Sequence, residues 1–212
     1  MFIELVDALR CPNQHEESWL VVSATTLEER HIREGILGCP VCRSEYPVHG
    51  GIADFRRDQT SDAGSVSALP PALVRAEQLA AVMNLADPLG FAVLIGGWTI
   101  RGTELLALVD SPPLVLVDPP ASVAMRPGLS GIRCDLSVPL AAGAARAVAV
   151  DTDNEERIAS AIRATRVGGR IVAPANAPLP DGVRELARDQ TIWVGSREAA
   201  PSDLVTLHVR RG

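Results

Sequence analysis

The sequence predicts an α/β protein with a mostly parallel sheet, preceded by a small β unit that holds most of its cysteine and histidine. Three observations predict it. Continuous apolar runs at 91–95 (FAVLI), 114–117 (LVLV) and 146–150 (RAVAV) read as strands buried on both faces. Helical patterns separate such runs, which is how βαβ units are written. Three of the four Cys and three of the four His fall within residues 1–57.

In chain order, residues 72–86 carry Leu79, Val82, Met83 and Ala86 at helical spacing, after Pro71 and before Asp87-Pro88. The 91–95 strand is stopped by Gly96-Gly97, and 103–109 reads as a short helix. The 114–117 strand is stopped by Asp118-Pro119-Pro120, and the 146–150 strand by Asp151. The clearest helix covers 154–166, with Asp153 as its cap, Glu156 completing a capping box and Gly168 closing it. Strands follow at 170–173, 190–195 and 203–210. With no strong helix between the last two, an antiparallel hairpin at one sheet edge is expected. Residues 58–71, DQTSDAGSVSALPP, are small and polar and end in two prolines, as a linker does. The expected division is therefore 1–56, a linker at 57–71, and 72–212.

Composition excludes several chemistries. With 47% hydrophobic and 22% charged residues, the 212-residue chain is ordinary for a globular protein. A net charge of −6 argues against free nucleic acid as the main partner. No apolar run approaches the ~20 residues needed to cross a bilayer. The start, MFIELVDALR, is acidic and amphipathic rather than signal-like, so a cytoplasmic location is expected. All 20 basic residues are Arg, which removes Schiff-base lysine and P-loop lysine chemistry. Neither G-x-S-x-G nor G-x-G-x-x-G is present, which disfavours common hydrolases and nicotinamide enzymes.

Cys39-Pro40-Val41-Cys42 is a C-x-x-C pair, and Cys11 stands four residues before His15. Two short chelating pairs separated by one hairpin's length are how zinc ribbons are written. The expected ligands are Cys11, His15, Cys39 and Cys42, with His31 and His49 as alternatives for the fourth. Such a site is closed and structural. A disulfide fits a reducing cytosol poorly, and a thioredoxin-like pair would need a strand before and a helix after it.

The stretches LVDALRCP, GCPVC and YPVHGGIADF, spanning residues 2–55, resemble the small zinc-binding activator subunit of tRNA and protein methyltransferases. One departure is His15, where that family has a second Cys one position earlier. The resemblance implies a zinc-ribbon-like domain that pairs with methyltransferases partly by strand addition. It also suggests a protein partner, or self-association through a sheet edge.

VLIGGWTIRG at 93–102 follows a buried strand and opens a helix, where nucleotide-binding α/β proteins place a glycine turn. Asp118 ends the next strand, where a carboxylate can accept hydrogen bonds from both ribose hydroxyls. The order of features over 72–212 is similar to class I S-adenosylmethionine (SAM)-dependent methyltransferases. That resemblance implies a Rossmann-like methyltransferase fold, a cofactor held by Gly96, Gly97, Asp118 and Asp135, and Asp135 beside the adenine.

The departures are specific. Trp98 and Ile100 stand on the second and third glycines of the family loop, and Leu94 replaces the acid before it. Large side chains there are expected to block the close approach of backbone to ligand. Trp98 packs in the core or, if exposed at the mouth, plugs the pocket. Cys134 reads as a small buried residue. No catalytic base stands out. The expectation is a zinc-binding, degenerate methyltransferase-like protein acting as a partner or regulatory module. The alternative is an active SAM-dependent methyltransferase with a divergent loop and an activator domain in cis.

Overall fold

The computed structural model of the chain describes residues 1–57, 74–86, 89–108 and 113–199. A 3-10 turn, Ile3–Ala8, leads to β1 (Val21–Glu28) and β2 (His31–Gly38). Glu29 and Arg30, at φ 44° and 65°, close this hairpin, because two left-handed residues match the twist of the strands. After the Cys39–Cys42 turn come β3 (Glu45–His49) and β4 (Ile52–Asp54).

The α/β part follows. It comprises α1 (Ala76–Val82), β5 (Ala92–Ile95), a 3-10 turn at Gly96–Arg101, α2 (Gly102–Leu108) and β6 (Leu114–Val117). It continues with β7 (Leu129–Arg133), β8 (Ala145–Ala149), α3 (Glu155–Ala164), β9 (Thr165–Pro174), β10 (Val183–Arg188) and β11 (Ile192–Arg197).

Among the described residues, eleven strands form one sheet, in the order β1-β2-β3-β4-β7-β6-β5-β8-β9-β11-β10. Neighbours from β4 through β7, β6, β5 and β8 to β9 run parallel. Both flanks are antiparallel. The stretch β7-β6-β5-β8-β9 is the Rossmann order three-two-one-four-five, with the winding reversal between β5 and β8.

Period-2 alternation explains the continuous apolar runs. Val93 and Ile95 of β5 face one core with α3, while Ala92 and Leu94 face the other with α1 and α2. Phe2, Leu5, Val6 and Leu9 join the α3-side core. Among the described residues, the chain between β6 and β7 carries no helix. The N-terminal segment covers this face, with Phe2 against Phe91 at 6.2 Å between ring centroids. Residues 1–57 thus share a sheet and a core with the α/β part, through β4 on β7 and through these side chains. Of the segment expected as a linker, only Arg57 is among the described residues.

Several element expectations are corrected. The helix expected at 72–86 spans Ala76–Val82. The cap of α3 is Asn154, whose side chain accepts from the Arg157 N–H at 3.0 Å, not Asp153. That helix stops at Ala164 because Thr165 turns extended and its hydroxyl bonds back to the Ala161 carbonyl. Gly168, at φ 74°, lies inside β9 instead. The edge hairpin pairs β11 with β10, and the strand expected at 203–210 lies outside the described residues. No helix among the described residues is long and apolar enough to cross a membrane.

Candidate functional site

A cysteine and histidine cluster sits where the N-terminal knuckle meets the end of the β2–β3 hairpin. The ligand atoms of Cys11, His15, Cys39 and Cys42 all lie within 4.8 Å of one another. Cys11 Sγ is 3.6 Å from Cys42 Sγ, and Cys39 Sγ is 3.4 Å from His15 Nε2. A tetrahedral ion with zinc-like bond lengths places sulfurs about 3.8 Å apart and sulfur about 3.6 Å from nitrogen. A disulfide needs about 2.05 Å, and all three cysteines are free. The donor set therefore fits a metal ion.

The tautomer fits as well. His15 Nδ1 lies 2.6 Å from the Glu16 carbonyl oxygen, to which it donates, leaving the Nε2 lone pair facing the thiols. His31 and His49 stand elsewhere, on the Glu29 carbonyl and the Glu34 carboxylate.

Three further side chains support the cluster. The Tyr46 hydroxyl lies 3.1 Å from Cys11 Sγ. Burial, then the Cys11 neighbour, raises the phenol's pKa, so it keeps its proton and donates. Asn13 Nδ2 donates to Cys42 Sγ at 3.4 Å and to Ser44 Oγ at 2.8 Å. The Ser44 hydroxyl, followed by Asn13, holds the exposed Cys42 thiol down to about 5, in the thiolate form that binds metals. Burial pushes Cys11 up to about 11, which a bound cation reverses. The sequence signal for Asn13 and Ser44 was adjacency to the ligands; for Tyr46 it was the Tyr-Pro motif after the Cys pair.

The glycine turn lies at the carboxyl end of β5, where a Rossmann-like sheet takes its ligand. Gly96 has φ 66°, and a Cβ there would lie within the Asp151 carboxylate. Asp151 Oδ2 accepts the Gly97 N–H at 2.5 Å. The chain's own carboxylate thus occupies the backbone donor that the turn would offer to a ligand. Burial raises the Asp151 pKa, with the Gly97 hydrogen bond acting against it.

Asp118 ends β6 at φ 57° and is likewise engaged. It accepts from the Cys134 N–H at 3.1 Å and from Arg157 Nη2 at 3.0 Å. Arg157 also reaches Cys134 Sγ at 3.2 Å. Burial raises the Asp118 pKa, with the Arg157 charge acting against it. Cys134 is buried, which pushes its thiol up to about 12 and makes it a poor nucleophile.

Trp98 does not block this mouth. It is 1% exposed and packs on the opposite side of the sheet with Leu79, Leu94 and Leu105. Ile100 is 45% exposed. Of the two places expected for Trp98 the structure shows the core, and at the turn itself the Gly97 N–H is held by Asp151 and Asp118 by Arg157.

Asp135 is separated from the other three expected cofactor residues. It is exposed, on the wall of a cleft of about 580 Å³ beside the Cys/His cluster, with Asn13, Ser44, Tyr46, Phe55 and Arg56. Gly96, Gly97 and Asp118 do not line that cleft.

The sequence matches no known protein family and no curated relative. Solved structures similar to it include the antibiotic-resistance methyltransferase Kmr, at 13% identity and a TM-score of 0.42, over 60% of this chain and 94% of that one. Another is geranyl diphosphate C-methyltransferase from Streptomyces coelicolor, at 20% and 0.38, over 46% of this chain and 43% of that one. A third is a 16S rRNA methyltransferase from T. thermophilus, at 17% and 0.30, over 86% of this chain and 49% of that one. At TM-scores below 0.5 these likenesses carry no functional argument. The Rossmann-like reading rests on the strand order itself.

Proposed function

We propose that this chain is a zinc-binding, methyltransferase-like protein that works as a partner or regulatory module and does not itself transfer methyl groups. One observation carries the reading: the groups that would receive SAM already serve the chain. The Gly97 N–H is held by Asp151, and Asp118 is paired with Arg157. A cofactor's ribose would have to share a carboxylate that already accepts from the Cys134 N–H and from Arg157, in an ion pair whose side chains are 18% and 12% exposed. Zinc bound by Cys11, His15, Cys39 and Cys42 would tie the knuckle to the β2–β3 hairpin.

Among the described residues, β1 and β10 form the edges of the sheet. Arg184, Glu185 and Arg188 guard β10, whereas β1 (VVSATTLE) carries no charge before Glu28. Register shifts at Ala24, Thr26 and Leu27 interrupt β1, so it is the regular, uncharged stretch from Val21 to Ala24 that supports partnership by strand addition, with a second copy or another protein.

The alternative, an active methyltransferase in the cytoplasm with a divergent loop, draws on Gly96 keeping its left-handed backbone and Asp118 its place at the strand end. Methyl transfer decides between them. Incubating the zinc-loaded protein with methyl-labelled SAM and cell extract should leave no label above a heat-killed control. Labelling that disappears in Asp118→Ala would establish the alternative.

A further inference from the structure

We propose that the cleft at the carboxyl ends of β4 and β7 binds a small basic amino acid, and that the metal cluster shapes one of its walls. The second clause rests on the reading of the Cys/His cluster as a metal site; the first does not.

Position comes first. Rossmann-like sheets take ligands beyond the carboxyl ends of their parallel strands. Over β5 and β6 the Gly97 N–H of that rim is held by Asp151 and Asp118 by Arg157. Because β4 runs parallel to β7, the N-terminal unit lengthens the same rim. There the cleft of about 580 Å³ stands open, which is the size of a small-molecule site.

Charge then selects the ligand. Arg56 and Arg57 line the cleft, and so do Glu45, Asp135 and Glu156. A purely anionic ligand would face three carboxylates, and a purely cationic one two guanidiniums. A ligand carrying both signs meets opposite charges on both. With the Arg56 charge balanced by Asp54, three acids outnumber the remaining base, which favours net positive charge, as on an amino acid with a basic side chain. Arg56 is held in place by a bidentate contact to Asp54, at 2.9 and 2.6 Å, which fixes its guanidinium beside the cleft. Leu136, 42% exposed, supplies apolar surface for an aliphatic stem, and the largely buried Phe55 and Tyr46 add the edges that reach the cleft.

The third wall belongs to the cluster. Asn13, Ser44 and Tyr46 line the cleft, and each lies within 3.4 Å of a cluster sulfur. An ion that fixes those sulfurs fixes that wall. By linkage, a ligand against the wall strengthens retention of the ion by the same factor.

The test is calorimetric titration of the full chain, with one zinc per chain, against L-arginine. Inorganic phosphate and putrescine serve as single-sign comparators. Saturable binding of arginine is expected, at least about tenfold tighter than either comparator. Asp135→Asn combined with Glu156→Gln should weaken it at least about tenfold at unchanged Tm, since both side chains are exposed. Zinc should also leave more slowly to a chelator when arginine is present. No heat with arginine, equal binding of a comparator, or indifference to the double variant would overturn the site. Arginine binding that is equally tight in protein stripped of metal would overturn only the metal wall. Neither outcome bears on whether the chain transfers methyl groups.

Discussion

His15 shows how one residue's surroundings decide its chemistry. Sequence alone left three histidines open as fourth ligand. The Glu16 carbonyl on Nδ1 and the thiols around Nε2 separate His15 from the others. Tyr46 is the matching partner on the sulfur side. Tyr46→Phe removes one donor from Cys11 while keeping the ring that packs 4.7 Å from Phe55. Loss of such a supporting contact typically costs about 10–100-fold in metal affinity. Competition with a chelator should show a loss of that order without unfolding; unchanged affinity would remove Tyr46 from the site.

Asp151 makes a pH prediction at the same scale. Burial raises its carboxyl above the ordinary 3.8, as it does for Asp118. The folded chain therefore holds protons that the unfolded chain has released. This stabilisation is complete below 3.8 and is lost as pH rises through the raised values. Asp151→Asn keeps an acceptor for the Gly97 N–H and removes one of the two buried charges. Thermal unfolding across acid to neutral pH should show a shallower decline in the variant than in the wild type. An equally steep decline would place the dependence elsewhere.

Elements buried on both faces were legible because their apolar runs are local. β5, β6 and β8 lie within one residue of their expected bounds. β7 was not legible, since Ser130 and Gly131 interrupt its run. Both have distant causes. Ser130 Oγ accepts the Phe2 N–H at 2.9 Å, and a Cβ at Gly131 would meet Ile52 of β4 at 2.6 Å. The four members of the Cys/His cluster were readable from spacing, because chelating pairs are short. The pairings of Asp151 with the Gly97 N–H and of Arg157 with Asp118 were not, because the partners stand 54 and 39 residues apart, and nothing in the local pattern of either announces them.

The edges of the sheet give the prediction for elements. If β1 pairs with a second copy or another chain, Ser23→Lys places a charge on the exposed edge and should abolish that association. Sedimentation at high concentration and a pull-down should both report the loss. A wild type that stays monomeric and captures no partner would leave β1 without this role.

At the scale of the molecule, the division expected near residues 57–71 does not separate two cores. Leu5, fully buried, belongs to the same cluster as Val93, Ile132 and Ile158. Leu5→Ala should therefore cost about 2–5 kcal/mol and lower a single unfolding transition of the whole chain. Two transitions, with only one shifted, would show that the N-terminal part unfolds by itself. The sequence suggested two units because its composition changes sharply near residue 57. The parallel pairing of β4 with β7 is a long-range contact that composition does not report.

If Asp151 and Arg157 withhold the Gly97 N–H and Asp118 from a nucleoside, calorimetric titration of the zinc-loaded protein with S-adenosylhomocysteine should give no binding heat up to millimolar ligand, roughly −4 kcal/mol on the affinity scale. Micromolar binding that is abolished by Asp118→Ala would contradict it, because the Asp118–Arg157 pair would then yield to the nucleoside.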